Sequence, residues 1–328
     1  MAAVNLPLKE FIEQEEREID KLVAGSQLIQ TQLGPIEINY RDSNKVPISN
    51  IQAKSRAPTL LMIHGGMGGQ DQAVMLFEPF FGLGCNLLAI SRPGYGNTPL
   101  LENKTAEQQA DLIAALLDVL ALDAVVVIGL SAAGPSLYQL AIRHPSRVKA
   151  LIAINCISMK YQLRKSAPII SQIVFSEPFT WVLNNLLKLA PKTATSLLLR
   201  TNSLLNKEQI QAEAAQITAT TDKFKYIIRL CRSILNYDNS RKTGVENDIE
   251  QGHYLNPLHL EQIICPALII HATADAVVLF YDSVYSAAKI PHAEHLWIEG
   301  GSHFSFWLNN NAPAIQQRAK EFLLACLK

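Results

Sequence analysis

Apolar residues recur along this chain at two periods, and the alternation between them predicts most of its architecture. Short unbroken apolar runs stand at Thr59–Ile63, Asn86–Ser91, Ala124–Ile128, Val148–Ile157, Pro266–His271 and Ala293–Ile298. Runs of this length bounded by turn formers read as strands buried on both faces. Between them the spacing becomes helical. Thr105-Ala-Glu-Gln108 is a capping-box match that opens a helix with the stripe Leu112, Ile113, Leu116, Leu117 and Leu120. Leu137, Leu140 and Ala141 mark a second helix, closed by Pro145. Leu6–Ala24, Ser283–Lys289 and Ala312–Leu327 read as further helices, and Gln27–Tyr40 as a hairpin about Gly34-Pro35. Strand and helix in this alternation predict an α/β fold with a mostly parallel central sheet and helices on both faces.

The rhythm breaks between Ser158 and Glu261. About a hundred residues pass there without a strand pattern, too many for a simple crossover. Pro178 sits in a helix first turn, followed by the stripe Phe179, Val182, Leu183, Leu186 and Leu187. Ala194–Leu205, Lys207–Thr218 and Asp222–Leu235 read as helices, and the polar Asn236–Gly252 as a loop. The expected organisation is a core over residues 1–157, preceded by an N-terminal helix, a helical insert over 158–261, and the rest of the core over 262–328.

Composition narrows the class. The 328 residues are 48% hydrophobic and 18% charged, ample for a large core. Formal net charge is zero, which gives no reason to expect a nucleic-acid partner. No apolar run approaches the roughly 18 residues of a membrane span, and Met1–Asp20 lacks the basic and apolar regions of a signal peptide, so a cytoplasmic protein is expected. The five cysteines are scattered, and Cys85, Cys156 and Cys265 border apolar runs, so they read as small core residues rather than disulfides or metal ligands. Oligomeric state is left open.

Candidate chemistry gathers where strands end. Ser131 follows the Ala124–Ile128 run through Gly129-Leu130 and precedes a helix. A serine on a strand–turn–helix presents its Oγ outward and offers the next N–H, at Ala132, to a developing oxyanion. The G-x-S-x-G pattern is met at Gly129 and Ser131, but Ala133 takes the last place, with Gly134 one step later. The competing reading is an ordinary turn with an incidental serine. His64-Gly65-Gly66-Met67-Gly68-Gly69 follows another strand. No Lys follows it as in a phosphate-binding loop, and the dinucleotide spacing fails, so no cofactor is expected. What remains is a loop of N–H groups facing a ligand, with His64 holding the loop rather than reacting. Asp275 and His303 each follow a later strand. Among their rivals, His271 lies four residues before Asp275, and His292 and His295 flank a strand as ordinary histidines. Asp282 is the next candidate acid.

Ser131, Asp275 and His303 thus stand in chain order at strand C-termini, where open parallel sheets bind ligands. Over roughly Gln27–Lys328 the chain resembles the α/β-hydrolase superfamily, in its serine-nucleophile branch with a helical cap. The resemblance is carried by His64-Gly65-Gly66, Ser91-Arg92-Pro93-Gly94-Tyr95-Gly96, Gly129-Leu130-Ser131, Ala274-Asp275 and Gly300-Gly301-Ser302-His303. It implies Ser131 as nucleophile, His303 as base, Asp275 as orienting acid, and an oxyanion hole from Ala132 and the Gly66 loop. It also implies that residues 158–261 form a cap.

A serine hydrolase acting on an ester, or a related acyl or C–C bond, of a small apolar substrate is the expected function. Met67, Phe179 and Leu183 are the candidate substrate contacts, although a helix stripe equally serves core packing. A proline-iminopeptidase-like aminopeptidase is the alternative enzyme; it would need cap carboxylates such as Glu177, Glu208, Glu213 and Asp238 gathered around an amino terminus. A hydrolase fold used only for binding is the non-enzymatic alternative. No metal is expected.

Overall fold

The central strands form where branched apolar residues run unbroken and both faces are covered, as at Thr59–Ile63 and Val125–Leu130. Gln27–Thr31 and Glu294–Ile298, at the edges of the sheet, are partly exposed, so the last run is not buried on both faces as expected. The computed structural model describes residues 8–48, 57–160, 177–235 and 239–327. Its strands are β1 (Gln27–Thr31), β2 (Gly34–Arg41), β3 (Thr59–Ile63), β4 (Asn86–Ile90), β5 (Val125–Leu130), β6 (Val148–Ile154), β7 (Ala267–Ala272) and β8 (Glu294–Ile298). They join in one sheet in the order β1-β2-β4-β3-β5-β6-β7-β8. The β1–β2 hairpin and the β2–β4 pair are antiparallel, and every other pair is parallel. The register aligns Ile63 with Gly129 and Leu130 with Ile154, so the C-terminal ends of β3, β5 and β6 lie side by side.

Successive side chains of β5 feed opposite layers. Val126 and Ile128 join a cluster with α1 (Leu8–Val23) and α2 (Gln70–Leu76), and Val125 and Val127 join one with α3 (Ala106–Val119) and α4 (Gly134–Arg143). The predicted capping box opens α3, with Thr105 accepting from the Gln108 N–H and the Gln108 side chain reaching back. The chain closes with α10 (Phe280–Lys289), the short α11 (Ser305–Leu308) and α12 (Ala312–Cys326).

Between β6 and β7 stand α5 (Glu177–Leu189), α6 (Pro191–Asn202), α7 (Lys207–Ala219), α8 (Thr221–Leu235) and α9 (Asn239–Tyr254). Leu183, Leu187, Leu198, Ile210 and Ile227 are buried in the same cluster as β5, so this helical segment shares a core with the sheet. Two expectations need correction. The polar stretch expected as a loop is largely the helix α9, whose apolar residues make no stripe; it is anchored through charged side chains instead. Strand β6 stops at Ile154 rather than Ile157, because Asn155 takes φ 48° and turns the chain. No helix of the described residues is long and apolar enough to cross a membrane.

Arg229 of α8 ties the N-terminal helix to this core. Its Nε donates to Glu15 Oε1 and its Nη1 to Glu78 Oε2, both at 2.7 Å. Removing only the cation leaves the buried Glu15 without this partner and Glu78 with Lys225 alone, at 2.9 Å. Arg229→Met should therefore lower unfolding stability by about 3 kcal/mol, read from urea denaturation; a loss under about 0.5 kcal/mol would show that water reaches the site.

Candidate active site

The turn after β5 holds Ser131 at φ 55°, a left-handed conformation that a serine adopts only under constraint. The constraint is steric and hydrogen-bonded. Ile157 N–H donates to the Ser131 carbonyl at 3.0 Å. A Cβ on Gly129 would come within 2.6 Å of Leu137, and one on Gly134 would overlap the Ile157 carbonyl oxygen. The place that cannot carry a side chain is therefore Gly134. Ala133 is buried and sits over the bare Gly129, which receives its methyl. This explains how the chain departs from G-x-S-x-G without losing the turn.

Asp275 and His303 meet at the same edge of the sheet. His303 Nδ1 lies 2.6 Å from Asp275 Oδ2, and both side chains are buried. The other carboxylate oxygen, Oδ1, accepts the N–H groups of Val277 at 2.7 Å and Val278 at 3.1 Å. Burial pushes the Asp275 carboxyl up, but the charge of His303 and hydrogen bonds from His271 and His303 outweigh it and hold it below its ordinary value. Asn155 fixes the histidine's backbone, since its Nδ2 donates to the His303 carbonyl at 2.5 Å and its Oδ1 accepts the Ala272 N–H. The helical segment reaches this pair directly. The Asn202 carbonyl at the end of α6 accepts the His303 N–H at 3.0 Å, and Leu204 N–H donates to Ala274 at 2.7 Å.

Among the described residues no hydrogen bond joins Ser131 Oγ to His303. The structure thus unites Asp275 with His303 and leaves Ser131 apart from them at the same edge. Such bonds are commonly long in a free enzyme and tighten around substrate.

The glycine loop faces the serine turn. A Cβ on Gly66 would stand 4.0 Å from that of Ala132, and one on Gly65 would stand 3.2 Å from that of Ser131. Gly65 N–H is taken by Gln72 Oε1 at 3.0 Å, whereas the N–H groups of Gly66 and Met67 carry no partner among the described residues. Met67 adopts φ 62° and is partly exposed. His64 holds the loop, as its sequence position suggested: Nδ1–H donates to the Gly65 carbonyl, and Nε2 accepts the Arg92 N–H. Burial, with the Arg92 charge nearby, pushes this imidazole well below its ordinary value.

Two arginines grip this loop: Arg92, named above only as part of the Ser91–Gly96 motif, and Arg241, which no motif marks. Arg92 donates to the His64 carbonyl at 3.2 Å and makes a two-pronged pair with Asp248 of α9 at 2.7 and 2.6 Å. Arg241, also on α9, donates to the Met67 carbonyl at 3.1 Å and to Asp71 at 2.6 Å. The histidine rivals divide. His271 is buried with Nε2 3.4 Å from Asp275 Oδ2 and Nδ1 2.6 Å from Ser283 Oγ, so it supports Asp275. His292 and His295 are exposed. Asp282 accepts the N–H groups of Ser158 and Met159 and faces away from this task.

Of the expected substrate contacts, Leu183 is fully buried in core packing. Phe179 lies in α5, with its side chain outside the described residues. A small cavity of about 100 Å³ adjoins Ala132. Its wall mixes apolar Pro135, Ile157 and Leu255 with polar Gln109 and Ser136 and the Arg92–Asp248 pair. Glu208 is exposed, and the partly buried Glu213 is pushed up by burial against the pull of Lys223. Those two carboxylates form no cluster, while the side chains of Glu177 and Asp238 lie outside the described residues. Among the described residues no group of three or more His, Cys, Asp or Glu could hold a metal ion.

Residues 58–310 match the family described as the alpha/beta hydrolase fold. The uncharacterized hydrolase YcgS of Bacillus subtilis is 25% identical over 270 residues, which span 77% of this chain and 87% of that one. Among solved structures, an alpha/beta hydrolase fold protein from Nakamurella multipartita is 30% identical, covers 91% of this chain and 98% of its own, and gives a TM-score of 0.80. A thermophilic esterase from Thermogutta terrifontis, at 17% identity and TM-score 0.62, covers 92% of this chain and 99% of its own, a likeness of fold.

The two glycine positions make a testable contrast. Gly134→Ala drives a methyl into backbone and should cost about 2 kcal/mol or more in unfolding stability, with loss of any turnover. Ala133→Gly should change turnover by less than about threefold, because the turn already has its space. Parallel denaturation and rate measurements on both variants check this, and equal effects would contradict it.

Proposed function

Because the chain belongs to the α/β-hydrolase fold family, we propose that this enzyme is a serine hydrolase that cleaves an ester, or a related acyl or C–C bond, of a small substrate through an acyl-enzyme on Ser131. The observation that carries the reading is the 2.6 Å contact between buried Asp275 and His303, at the sheet edge where Ser131 is held at φ 55°.

The chemistry follows from those positions. A serine hydroxyl is a weak nucleophile near neutral pH and needs a base. His303 Nε2 takes the Ser131 proton as Oγ attacks the substrate carbonyl carbon, and Asp275 steadies the ring through Nδ1–H and offsets the charge it gains. The carbonyl oxygen becomes an oxyanion, held by the Ala132 N–H and an N–H of Gly66 or Met67. One such donor contributes about 3–4 kcal/mol. As the tetrahedral intermediate collapses, the bond to the leaving group breaks and His303 returns the proton to it. Water then repeats the sequence, and the carboxylic acid departs.

Residues 158–261 serve in this reading as a cap. The contacts of Asn202 with His303 and of Arg241 with Met67 support a segment seated over the reacting groups.

Ser131→Ala and His303→Ala should each lower kcat on p-nitrophenyl acetate by about 10⁴- to 10⁶-fold, with the double variant little worse, because such residues act as a unit. Asp275→Asn should keep the fold and lose about 10⁴-fold by favouring the wrong tautomer. A His303→Ala protein that kept about a tenth of the rate would place the base elsewhere. A panel of p-nitrophenyl esters of graded chain length beside proline amides tests the substrate: short esters should be cleaved fastest, and preferred cleavage of proline amides would favour the aminopeptidase.

A further inference from the structure

A loop that aims N–H groups at an oxyanion must be held from behind, because each of its peptides is free to turn. The holding groups here come from the inserted helices. Arg241 is buried at the first turn of α9, and its guanidinium reaches three elements at once. Nη1 donates to the Met67 carbonyl at 3.1 Å and to the Ser233 carbonyl, at the end of α8, at 3.2 Å. Nη2 donates to Asp71 Oδ2 at 2.6 Å, on the helix that follows the loop. Gln72 reinforces the link, with Oε1 accepting the Gly65 N–H and Nε2 donating to Ser233 Oγ at 2.8 Å. Met67 is the residue of the loop that stands at positive φ, and its carbonyl is the one Arg241 grips.

We infer that Arg241 is the positioning residue of the oxyanion loop, through which the inserted helices set the aim of the Gly66 and Met67 N–H groups. The inference rests on the serine-hydrolase reading above. A planar guanidinium can address two carbonyls and a carboxylate in fixed directions, whereas a lysine ammonium has no such fork. Without that grip the peptide at Met67 relaxes away from its left-handed conformation. The N–H groups then turn from the place where the oxyanion forms, which slows the chemical step and leaves binding of the ground state almost unchanged. A residue that served packing alone would lower thermal stability without selectively lowering kcat.

The test separates aim from buried charge. Arg241→Met leaves Asp71 without this cation and should lose stability as well as rate. The double variant Arg241→Met/Asp71→Leu removes both charges together. Both proteins are assayed on p-nitrophenyl acetate for kcat and KM and by thermal denaturation, beside Arg241→Lys and Ser131→Ala. Arg241→Met should lower kcat about 10- to 100-fold with KM changed less than about threefold. The double variant should regain thermal stability but not kcat, and Arg241→Lys should regain part of kcat. Recovery of kcat together with stability in the double variant would overturn the inference, as would a rise in KM at unchanged kcat. Ser131→Ala distinguishes the two levels of failure. If it abolishes turnover while the Arg241 variants keep the wild-type kcat, only the positioning role falls; if it keeps the wild-type rate, the serine-hydrolase reading falls and this inference with it.

Discussion

The left-handed backbone of Ser131 is the constraint on which the rest of the site depends. Such a conformation costs about 1–3 kcal/mol for a residue with a side chain, so the surroundings must over-determine it. They do so on three sides. Strands β3 and β6 flank β5 in parallel register and fix where the turn begins. The Ile157 N–H fixes the Ser131 carbonyl, and Gly129 and Gly134 let strand, turn and helix close over one another. Every other group in the site is then placed by the end of a neighbouring strand: the glycine loop after β3, Asn155 after β6, Asp275 after β7 and His303 after β8.

A second constraint comes from charge placed inside the fold. The chain has no formal net charge, and several of its ions are spent in buried pairs that join distant segments. Arg92 with Asp248, Arg241 with Asp71, and Arg229 with Glu15 and Glu78 each bind the helical segment to the core. Desolvation offsets much of the attraction in such pairs, so their clearest effect is geometric: each fixes a direction that an apolar contact would leave open. Two of these pairs lie behind the glycine loop. The inserted helices therefore hold the glycine loop through these contacts, and cutting them out whole would remove those contacts.

Where apolar period alone decides structure, the sequence was readable. The runs at Thr59–Ile63 and Val148 onward became strands, and the Thr105 capping box formed as written, because burial on both faces and local hydrogen bonding leave few alternatives. Helix α9 was illegible for the converse reason: it has no apolar stripe, and its anchors pair with residues 156 and 170 positions away. The same distance hid Arg241 and the partner of Arg92, although Arg92 itself stands in a recognisable motif. The Ser131 turn and the Asp275–His303 contact were legible because each residue follows a recognisable strand, whereas the support that His271 gives Asp275 is a matter of side-chain direction at a strand end. Helical spacing placed Leu183 on a stripe without telling a pocket wall from packing, and the structure places it in packing.

The central claim is that Ser131 is the group that becomes acylated. Reaction of the folded protein with a fluorophosphonate, followed by intact-mass measurement and peptide mapping, tests it directly. The account predicts one adduct per chain on the peptide that carries Ser131, and none on the Ser131→Ala protein. Folded protein that stays unlabelled, or an adduct that maps to another residue, would contradict it.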